Sequence, residues 1–295
     1  MFNLNKFKKK IIIGTAQLSA NYGIANFSNK KINKNKIFNF LDFCVSRGFN
    51  KFDTAPGYLN EKLIGEFIKK KNLKTQVKII SKIPSLVLIS EKDKLKFIKN
   101  SIDKTLKNLK YNLNTILFHD QRDIVYILKN FEEIKDILKK RKIGNIGFSI
   151  YDMKHFLMIK NSIKKDKIIL QLPVNFINDQ FLKKKYPKNF EIHTRSIFLQ
   201  GFLINKKIKK SIKKKYLSLH QKYFLYLEKN SINPYELCLS IIKNKSNKKF
   251  IFGFDDIEQF KFFSEFSYNN INYKNHILSI KKIFKNTNIS DPRKW

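Results

Sequence analysis

Eight short runs rich in β-branched and aromatic residues recur along this chain, separated by longer stretches whose apolar residues repeat at helical spacing. The runs are IIIGTA (11–16), NKFDTA (50–55), VKIISKI (77–83), TILFHD (115–120), NIGFSI (145–150), IILQLPV (168–174), EIHTRSI (191–197) and KFIFGF (249–254). Strands that alternate with helices pair in parallel. Eight βα units in about 250 residues favour a closed (β/α)8 barrel over an open sheet. We therefore expect an α/β protein with TIM-barrel architecture.

The chain shows no linker-like break, so we expect one domain over residues 1–295. The barrel would occupy about residues 10–265, followed by a C-terminal helix at 273–285. After the seventh strand, residues 198–247 carry two helical patterns where the other connections carry one. We expect a longer connection at that point.

The chain is strongly basic, with a formal net charge of +38. Only five of its 61 basic residues are Arg, although Arg is the better residue for bidentate contacts to phosphates and bases. Lys is enriched together with Asn, Ile and Phe along the whole length, which indicates a general residue usage and not a localised basic site. We expect no nucleic-acid partner. The run KKIKKSIKKK (206–215) is where a polyanion-binding alternative would apply.

Cysteine usage indicates where the protein is located, and the short motifs that are absent disfavour several classes of enzyme. Cys44 and Cys238 lie far apart in apolar helical stretches, so we expect buried free thiols and a cytoplasmic location. The run III at 11–13 is too short for a signal peptide, and no membrane span is expected. No GxSxG, GxGxxG, Walker A, HExxH or paired-Cys motif occurs, which disfavours serine hydrolases, Rossmann dehydrogenases, NTPases and zinc enzymes.

Polar residues occupy the carboxyl ends of the predicted strands, where TIM barrels place their active sites. In strand order they are Asp53, Lys82, His119, Ser149, Gln171, Arg195 with Ser196, and Asp255. Taken singly, a turn carboxylate, a surface lysine and a core histidine would each be unremarkable. Their conjunction on three consecutive strands, with a tyrosine five residues after the carboxylate in a Pro-Gly turn, predicts a proton-delivery group.

Tyr58 is the expected proton donor of this group. A phenol has an ordinary pKa of about 10, and a nearby ammonium lowers that pKa by favouring the phenolate. We expect Lys82 to have this effect and Asp53 to keep the ammonium charged and oriented. His119 would orient a carbonyl group or pass the proton.

Five motifs occur in order along the chain: GTAQLSANYGI with FDTAPGY, SK at 81–82, FHD at 118–120, GFS at 147–149 and TRSIFLQG at 194–201. Together they resemble the motifs of the aldo/keto reductase family. It implies a (β/α)8 barrel that transfers hydride from a nicotinamide cofactor, NADP or NAD, to a small-molecule carbonyl substrate. Tyr58 would act as the general acid, supported by Asp53, Lys82 and His119.

The resemblance also implies a cofactor-binding set near the ends of strands five to eight. Its members are Ser149, Gln171, Arg195, Ser196, Leu199, Gly201, Gly253, Asp255 and Gln259. Ser149 and Gln171 would hold the nicotinamide carboxamide, and the planar guanidinium of Arg195 would stack on the ring. The loop after strand seven would line the pyrophosphate path with backbone N–H groups.

The sequence departs from the family pattern at three places. YLNEK (58–62) lacks the Gly and Ser of the usual Tyr-Gly-x-Ser-Glu and is one residue shorter, which alters the aim of Tyr58. Ile150 stands where an Asn amide often contacts the cofactor. Asp255 and Asp256 stand where members that prefer NADPH commonly have basic residues for its 2′-phosphate. We favour a helix cap as the role of one of these carboxylates, and the hypothesis of NADH or mixed use stays open beside it.

Two other functions fit the residues. One is a cofactor-binding aldo/keto reductase-like protein with little or no turnover, and the other is a basic polyanion-binding module with salt-sensitive retention on heparin. For a reductase, an aldehyde, a ketone and a sugar carbonyl are all compatible with the loops, in which Tyr22 and Phe27 would wall the pocket. No pattern in the sequence indicates an oligomeric state.

Overall fold

The structure is a computed structural model that describes residues 2–3, 8–19, 22–25, 33–110, 112–209, 211–242, 248–265, 267–268 and 272–295. Eight parallel strands form a closed barrel. They are β1 (Ile11–Gly14), β2 (Lys51–Asp53), β3 (Lys78–Ile83), β4 (Thr115–Phe118), β5 (Asn145–Ser149), β6 (Ile168–Pro173), β7 (Phe190–Arg195) and β8 (Lys248–Gly253). Each predicted run overlaps one barrel strand, and β8 pairs with β1 to close the ring. The predicted TIM-barrel architecture is confirmed.

Helices cover the outside of the barrel. They are α1 (Lys34–Ser46), α2 (Glu61–Lys70), α3 (Lys94–Asn108), α4 (Ile124–Lys129), α5 (Phe131–Lys140), α6 (Met153–Ser162), α7 (Lys214–Lys229), α8 (Pro234–Ser240), α9 (Ile257–Glu265) and α10 (Lys274–Ile283). A separate antiparallel pair joins Phe2–Asn3 to Ser267–Tyr268. In the described part of the chain, none of the helices has the length and apolar character that a membrane crossing requires.

The connections after β6 and β7 differ from a simple alternation of strand and helix. Residues 174–189 form no α-helix, only the short 3₁₀ turn Gln180–Leu182, so the expected alternation of strand and helix does not hold at this point. The side chain of Asn175 accepts hydrogen bonds from the backbone N–H groups of Ile177 and Asn178, an arrangement that favours a turn over a helix. The connection after β7 contains both α7 and α8, as predicted.

The apolar residues form two layers. Five of them from alternate positions of the strands make a separate cluster, which we assign to the barrel interior, and they are Ile12, Ile80, Leu117, Ile169 and Ile251. A larger cluster lies between strands and helices and includes the free, buried thiols of Cys44 and Cys238, as predicted. At Gly147 of β5 a Cβ atom would lie 2.1 Å from the carbonyl oxygen of Ile169, so close approach of two backbones requires glycine there.

Candidate active site

A cavity of about 350 Å³ lies at the carboxyl ends of the strands. Eleven of the thirteen predicted site residues line it, and they are Asp53, Tyr58, His119, Gln171, Arg195, Ser196, Leu199, Gly201, Gly253, Asp255 and Gln259. The other two, Lys82 and Ser149, are buried behind this lining. The fold therefore brings the predicted residues together at one place.

A buried ion pair forms the floor of the cavity. The Nζ atom of Lys82 lies 2.6 Å from Oδ1 of Asp53 and 2.8 Å from the carbonyl oxygen of Thr54. The side-chain amide of Gln171 donates to Oδ2 of Asp53 at 2.8 Å. Both carboxylate oxygens thus have partners, and the ammonium is held by two oxygens. This network offsets the cost of burying two charges.

Tyr58 lies at the end of a short 3₁₀ turn, Pro56–Tyr58, that follows β2 directly. Its ring centroid is 5.2 Å from Nζ of Lys82. Burial, and next the negative charge of Asp53, raise the pKa of Tyr58 above its ordinary value, while Arg195 opposes this rise. The net shift is therefore upward, opposite to the lowering expected from Lys82, because burial and the negative charge of Asp53 outweigh the effect of the ammonium. Tyr58 keeps its proton at neutral pH.

The stretch after Tyr58, which departs from the family pattern, is held by buried polar contacts. Leu59 adopts a left-handed conformation (φ 57°), which costs a non-glycine residue about 1–2 kcal/mol. The buried side chain of Asn60 accepts from the hydroxyl of Thr54 and donates to the carbonyl oxygen of Thr15, both at 2.8 Å. The Ser19 hydroxyl donates to the carbonyl oxygen of Tyr58. These contacts fix the turn from which the Tyr58 ring projects.

His119 follows β4 and opens onto the cavity. Its backbone N–H donates to the carbonyl oxygen of Ile83 at 3.2 Å, which continues the β3–β4 pairing. Burial, and next the positive charges of Lys82 and Arg195, lower the pKa of His119 to about 4. The imidazole is therefore neutral at physiological pH, with one nitrogen able to donate a hydrogen bond.

We expect the side chain of His119 to titrate at about pH 4 in the folded protein, compared with 6.5 for an ordinary histidine. Between these values the unfolded chain binds a proton at this position and the folded chain does not, so unfolding free energy should rise with pH there. NMR titration of the His119 ring protons, identified by their loss in His119→Asn, measures the midpoint. A midpoint at or above pH 6.5 would contradict the burial and charge effects described here.

Arg195 covers Ser149 at the wall of the cavity. Its guanidinium donates to the hydroxyls of Ser149 at 3.4 Å and Ser196 at 3.3 Å. The Ser149 hydroxyl and the Gln171 amide, which the resemblance assigns to a cofactor carboxamide, therefore both have protein partners. The Ser149 hydroxyl can still donate its own hydrogen, and Gln171 keeps a second N–H and its carbonyl oxygen, so a carboxamide could bind while these partners are kept.

The loop after β7 contains several left-handed residues. Ser196, Leu199, Gln200 and Gly201 have φ values of 65°, 49°, 55° and 89°. At Gly201 a Cβ atom would lie 2.7 Å from Cβ of Ala25, so the conformation and the close contact both require glycine. Loops that mix right- and left-handed residues can turn successive N–H groups towards an anion.

The far end of the cavity is lined by Asp255 and Gln259. Asp256 caps α9, since its Oδ1 accepts from the backbone N–H of Gln259 at 2.8 Å. Asp255 does not serve as this cap. Its Oδ1 is buried and has no hydrogen-bond partner within the described residues, and burial followed by repulsion from Asp256 raises its pKa. The helix-capping alternative thus applies to only one of the two carboxylates.

Several lining residues were not predicted from the sequence. Tyr22, a predicted wall residue, does line the cavity, with its ring centroid 6.1 Å from that of Tyr58, whereas Phe27 lies outside the described residues. Tyr151 and Arg293 also line the cavity but were missed. Tyr151 lies two residues past Ser149, at a strand end, and this position could have identified it as a lining residue. The sequence around Arg293 contains no pattern that predicts a site residue, because only the fold brings the C-terminal segment to the barrel mouth.

The fold agrees with a comparison of the sequence with known families. The model of the aldo/keto reductase family matches residues 10–261. The chain belongs to this family, and the family and fold make it an oxidoreductase of carbonyl substrates. None of the curated proteins matches the sequence.

Solved structures of aldo-keto reductases share the fold at low sequence identity. The glycerol dehydrogenase of Gluconobacter oxydans has a TM-score of 0.63 at 14% identity, with 93% of this chain and 91% of that chain covered. The aldo-keto reductase of the silkworm Bombyx mori has a TM-score of 0.64 at 15% identity, covering 97% and 87%. An aldo-keto reductase from a Medee basin deep-sea metagenome library has 0.60 at 15%, covering 92% and 90%. At these identities the similarity establishes the fold alone.

Proposed function

We propose that the protein is an NAD(P)H-dependent carbonyl reductase in which Tyr58 is the general acid. A reduced nicotinamide supplies the hydride that adds to the carbonyl carbon, and a proton adds to the oxygen, so the products are an alcohol and the oxidised cofactor. The observation that carries the proposal is the placement of a protonated Tyr58 in the cavity, above the Asp53–Lys82 pair and together with a neutral His119.

Each of the four catalytic side chains has a distinct part. The Tyr58 hydroxyl donates a hydrogen bond to the carbonyl oxygen and releases its proton when negative charge develops there. His119 donates a second hydrogen bond to the same oxygen. Lys82, beside the Tyr58 ring, favours negative charge on the phenol oxygen once the proton has left. Asp53 keeps Lys82 in this position.

Residues of β5 to β8 and their loops would hold the nicotinamide cofactor. Two observations support this fit: the left-handed run at Ser196, Leu199 and Gly201, and the unpartnered buried oxygen of Asp255. Arg195 presents a planar guanidinium to the cavity for stacking, while Ser149 and Gln171 would bind the carboxamide with the donors and acceptors that their present partners leave unused.

We expect Asp255 to favour NADH over NADPH. Its free carboxylate oxygen can accept a hydrogen bond from a ribose hydroxyl, whereas the additional phosphate of NADPH would meet a like charge. Isothermal titration should give a dissociation constant for NADH about tenfold lower than that for NADPH, equivalent to about 1.4 kcal/mol. In Asp255→Asn this ratio should fall towards one.

Glu258→Gln is the matched control, because Glu258 is an exposed carboxylate on the adjoining helix α9. Removing this charge should leave the ratio of the two dissociation constants as in the unmodified protein. A clear preference for NADPH in the unmodified protein would contradict the assignment of Asp255.

The proposed activity is tested by following cofactor oxidation with a panel of aldehydes, ketones and sugar carbonyls. We expect at least one class to cause carbonyl-dependent consumption of NADH or NADPH. If both cofactors bind but no carbonyl compound is reduced, the protein is a cofactor-binding relative and the proposal of a reductase fails.

The remaining assignments complete the proposal. Residues 1–295 would form one domain, with its core at about 10–265, located in the cytoplasm. The partners would be a small carbonyl compound and the cofactor, without nucleic acid. Support comes from the paucity of Arg and from two buried thiols that are not joined in a disulfide.

A further inference from the structure

The ring of Tyr151 has a guanidinium near it from each of two distant segments. Cζ of Arg293 lies 3.4 Å from the ring centroid, and Cζ of Arg195 lies 4.3 Å from it. The two charges cannot be farther apart than the sum of these distances, so they repel each other at close range. All three side chains line the cavity. Two of the five arginines in the chain therefore converge on the proposed active site.

The neighbours of Arg293 orient its guanidinium but use only some of its hydrogen-bond donors. Nε and Nη2 donate to the two oxygens of Asp291 at 2.8 and 2.7 Å. A guanidinium has five N–H donors, so three remain, and these have no hydrogen-bond partner among the described residues. Trp295 packs on Phe202 with centroids 5.7 Å apart and donates to the carbonyl oxygen of Ile289 at 2.9 Å, which anchors the segment carrying Arg293.

The balance of charges at this end of the cavity is positive. The carboxylate of Asp53 is paired with Lys82, and that of Asp291 is paired with Arg293. Asp120, whose charge also acts on Arg293, is paired with Arg122. Among the described residues, Arg195 has hydrogen bonds or ring contacts with neutral groups, two serine hydroxyls and the Tyr151 ring. The other carboxylate that lines the cavity, Asp255, lies at the end bordered by Gln259 and Phe263.

We propose that the carbonyl substrate carries an anionic group, a carboxylate or a phosphate, which binds to Arg293 and the neighbouring Arg195 beside Tyr151. This inference rests on the proposed reductase function and specifies its substrate class. The free N–H donors of Arg293 match a planar or tetrahedral oxyanion. The anion also relieves the repulsion between the two guanidiniums. Tyr151 holds both cations in place, because its ring contacts both.

The test uses pairs of carbonyl compounds that differ in charge. We expect kcat/KM to be about 10- to 100-fold higher for 4-oxobutanoate than for its neutral amide, or for glyceraldehyde 3-phosphate than for glyceraldehyde. The first pair reports a preference for carboxylate and the second a preference for phosphate. In Arg293→Gln the larger of the two ratios should fall at least tenfold. Equal kcat/KM within both pairs in the unmodified protein would overturn the proposal.

Lys294→Gln removes the same charge from the next residue, which is exposed like Arg293 but does not line the cavity, and should retain the ratio of the unmodified protein. An equal fall in this variant would indicate a general field effect and would overturn the assignment to Arg293. NADH affinity is measured in parallel. If Arg293→Gln weakens NADH as much as it weakens the anionic substrate, the anion belongs to the cofactor and the proposal fails.

A binding measurement separates this inference from the proposed activity. Succinate and its neutral diamide are titrated into the protein with oxidised cofactor present, where no turnover is required. Succinate should bind at least tenfold more tightly, and Arg293→Gln should remove the difference. Tighter succinate binding without any carbonyl reduction would sustain the anion site while the reductase proposal fails. Equal binding of the two compounds and equal kcat/KM within both pairs would overturn the anion site alone.

Discussion

Replacing Tyr58 with Phe is expected to lower kcat by about 10²- to 10⁴-fold, the range found when a general acid is removed. The ring and its packing against Tyr22 are retained in this variant, so the cavity keeps its shape. Only the hydroxyl that donates the proton is lost. Single-turnover measurements with saturating reduced cofactor and the best carbonyl substrate should show this loss in the reduction step itself.

Tyr226→Phe is the control for loss of a phenol oxygen. Tyr226 lies on α7 and its hydroxyl contacts Nδ1 of His276 at 3.1 Å, and neither residue lines the cavity. Its kcat should stay within about twofold of the unmodified protein, since surface changes away from a site have small effects. Full activity in Tyr58→Phe would contradict the role of Tyr58 as the general acid, whatever the result for the control variant.

Replacing Lys82 with Met should cost about 3–5 kcal/mol of unfolding free energy, because the carboxylate of Asp53 would stay buried without its cationic partner. The long apolar side chain of Met fills most of the space of the lysine stem, so lost volume contributes little. Gln171 would be the remaining side-chain donor to Asp53. Urea denaturation at neutral pH measures the change.

Lys78→Met makes the same substitution at the exposed start of the same strand, β3, and should change the unfolding free energy by less than about 0.5 kcal/mol. The double variant Asp53→Asn/Lys82→Met removes both charges and should recover part of the lost stability. A loss below about 1 kcal/mol in Lys82→Met would show that the pair is poorly desolvated, contrary to the 2% exposure of Lys82.

Strand positions and the main catalytic set could be predicted from the sequence because both depend on local order. Each barrel strand lies in a short run rich in β-branched and aromatic residues, and parallel closure places the residues at strand ends, such as Asp53, Lys82 and His119, around one mouth. The missing helix after β6 was not foreseen, because one side chain, Asn175, decides the local turn.

The electrostatics of the site depended on contacts that sequence order does not contain. Lys82 was expected to lower the pKa of Tyr58, but burial and the carboxylate of Asp53, which lies 2.6 Å from the Lys82 ammonium, raise that pKa. Arg293 is 142 residues from Tyr151 in the sequence, and only folding brings the two together. A prediction made from the residues at strand ends cannot identify pairs that are so far apart in the sequence.

The carboxylate of Asp53 joins β2 to β3 through Lys82 and to β6, on the opposite wall, through Gln171. The same three side chains therefore brace the barrel and set up the chemistry. Selection for a more rigid barrel and selection for faster turnover would act on identical positions. Thermostable variants of this protein should for that reason arise from substitutions elsewhere, with this crosslink left unchanged.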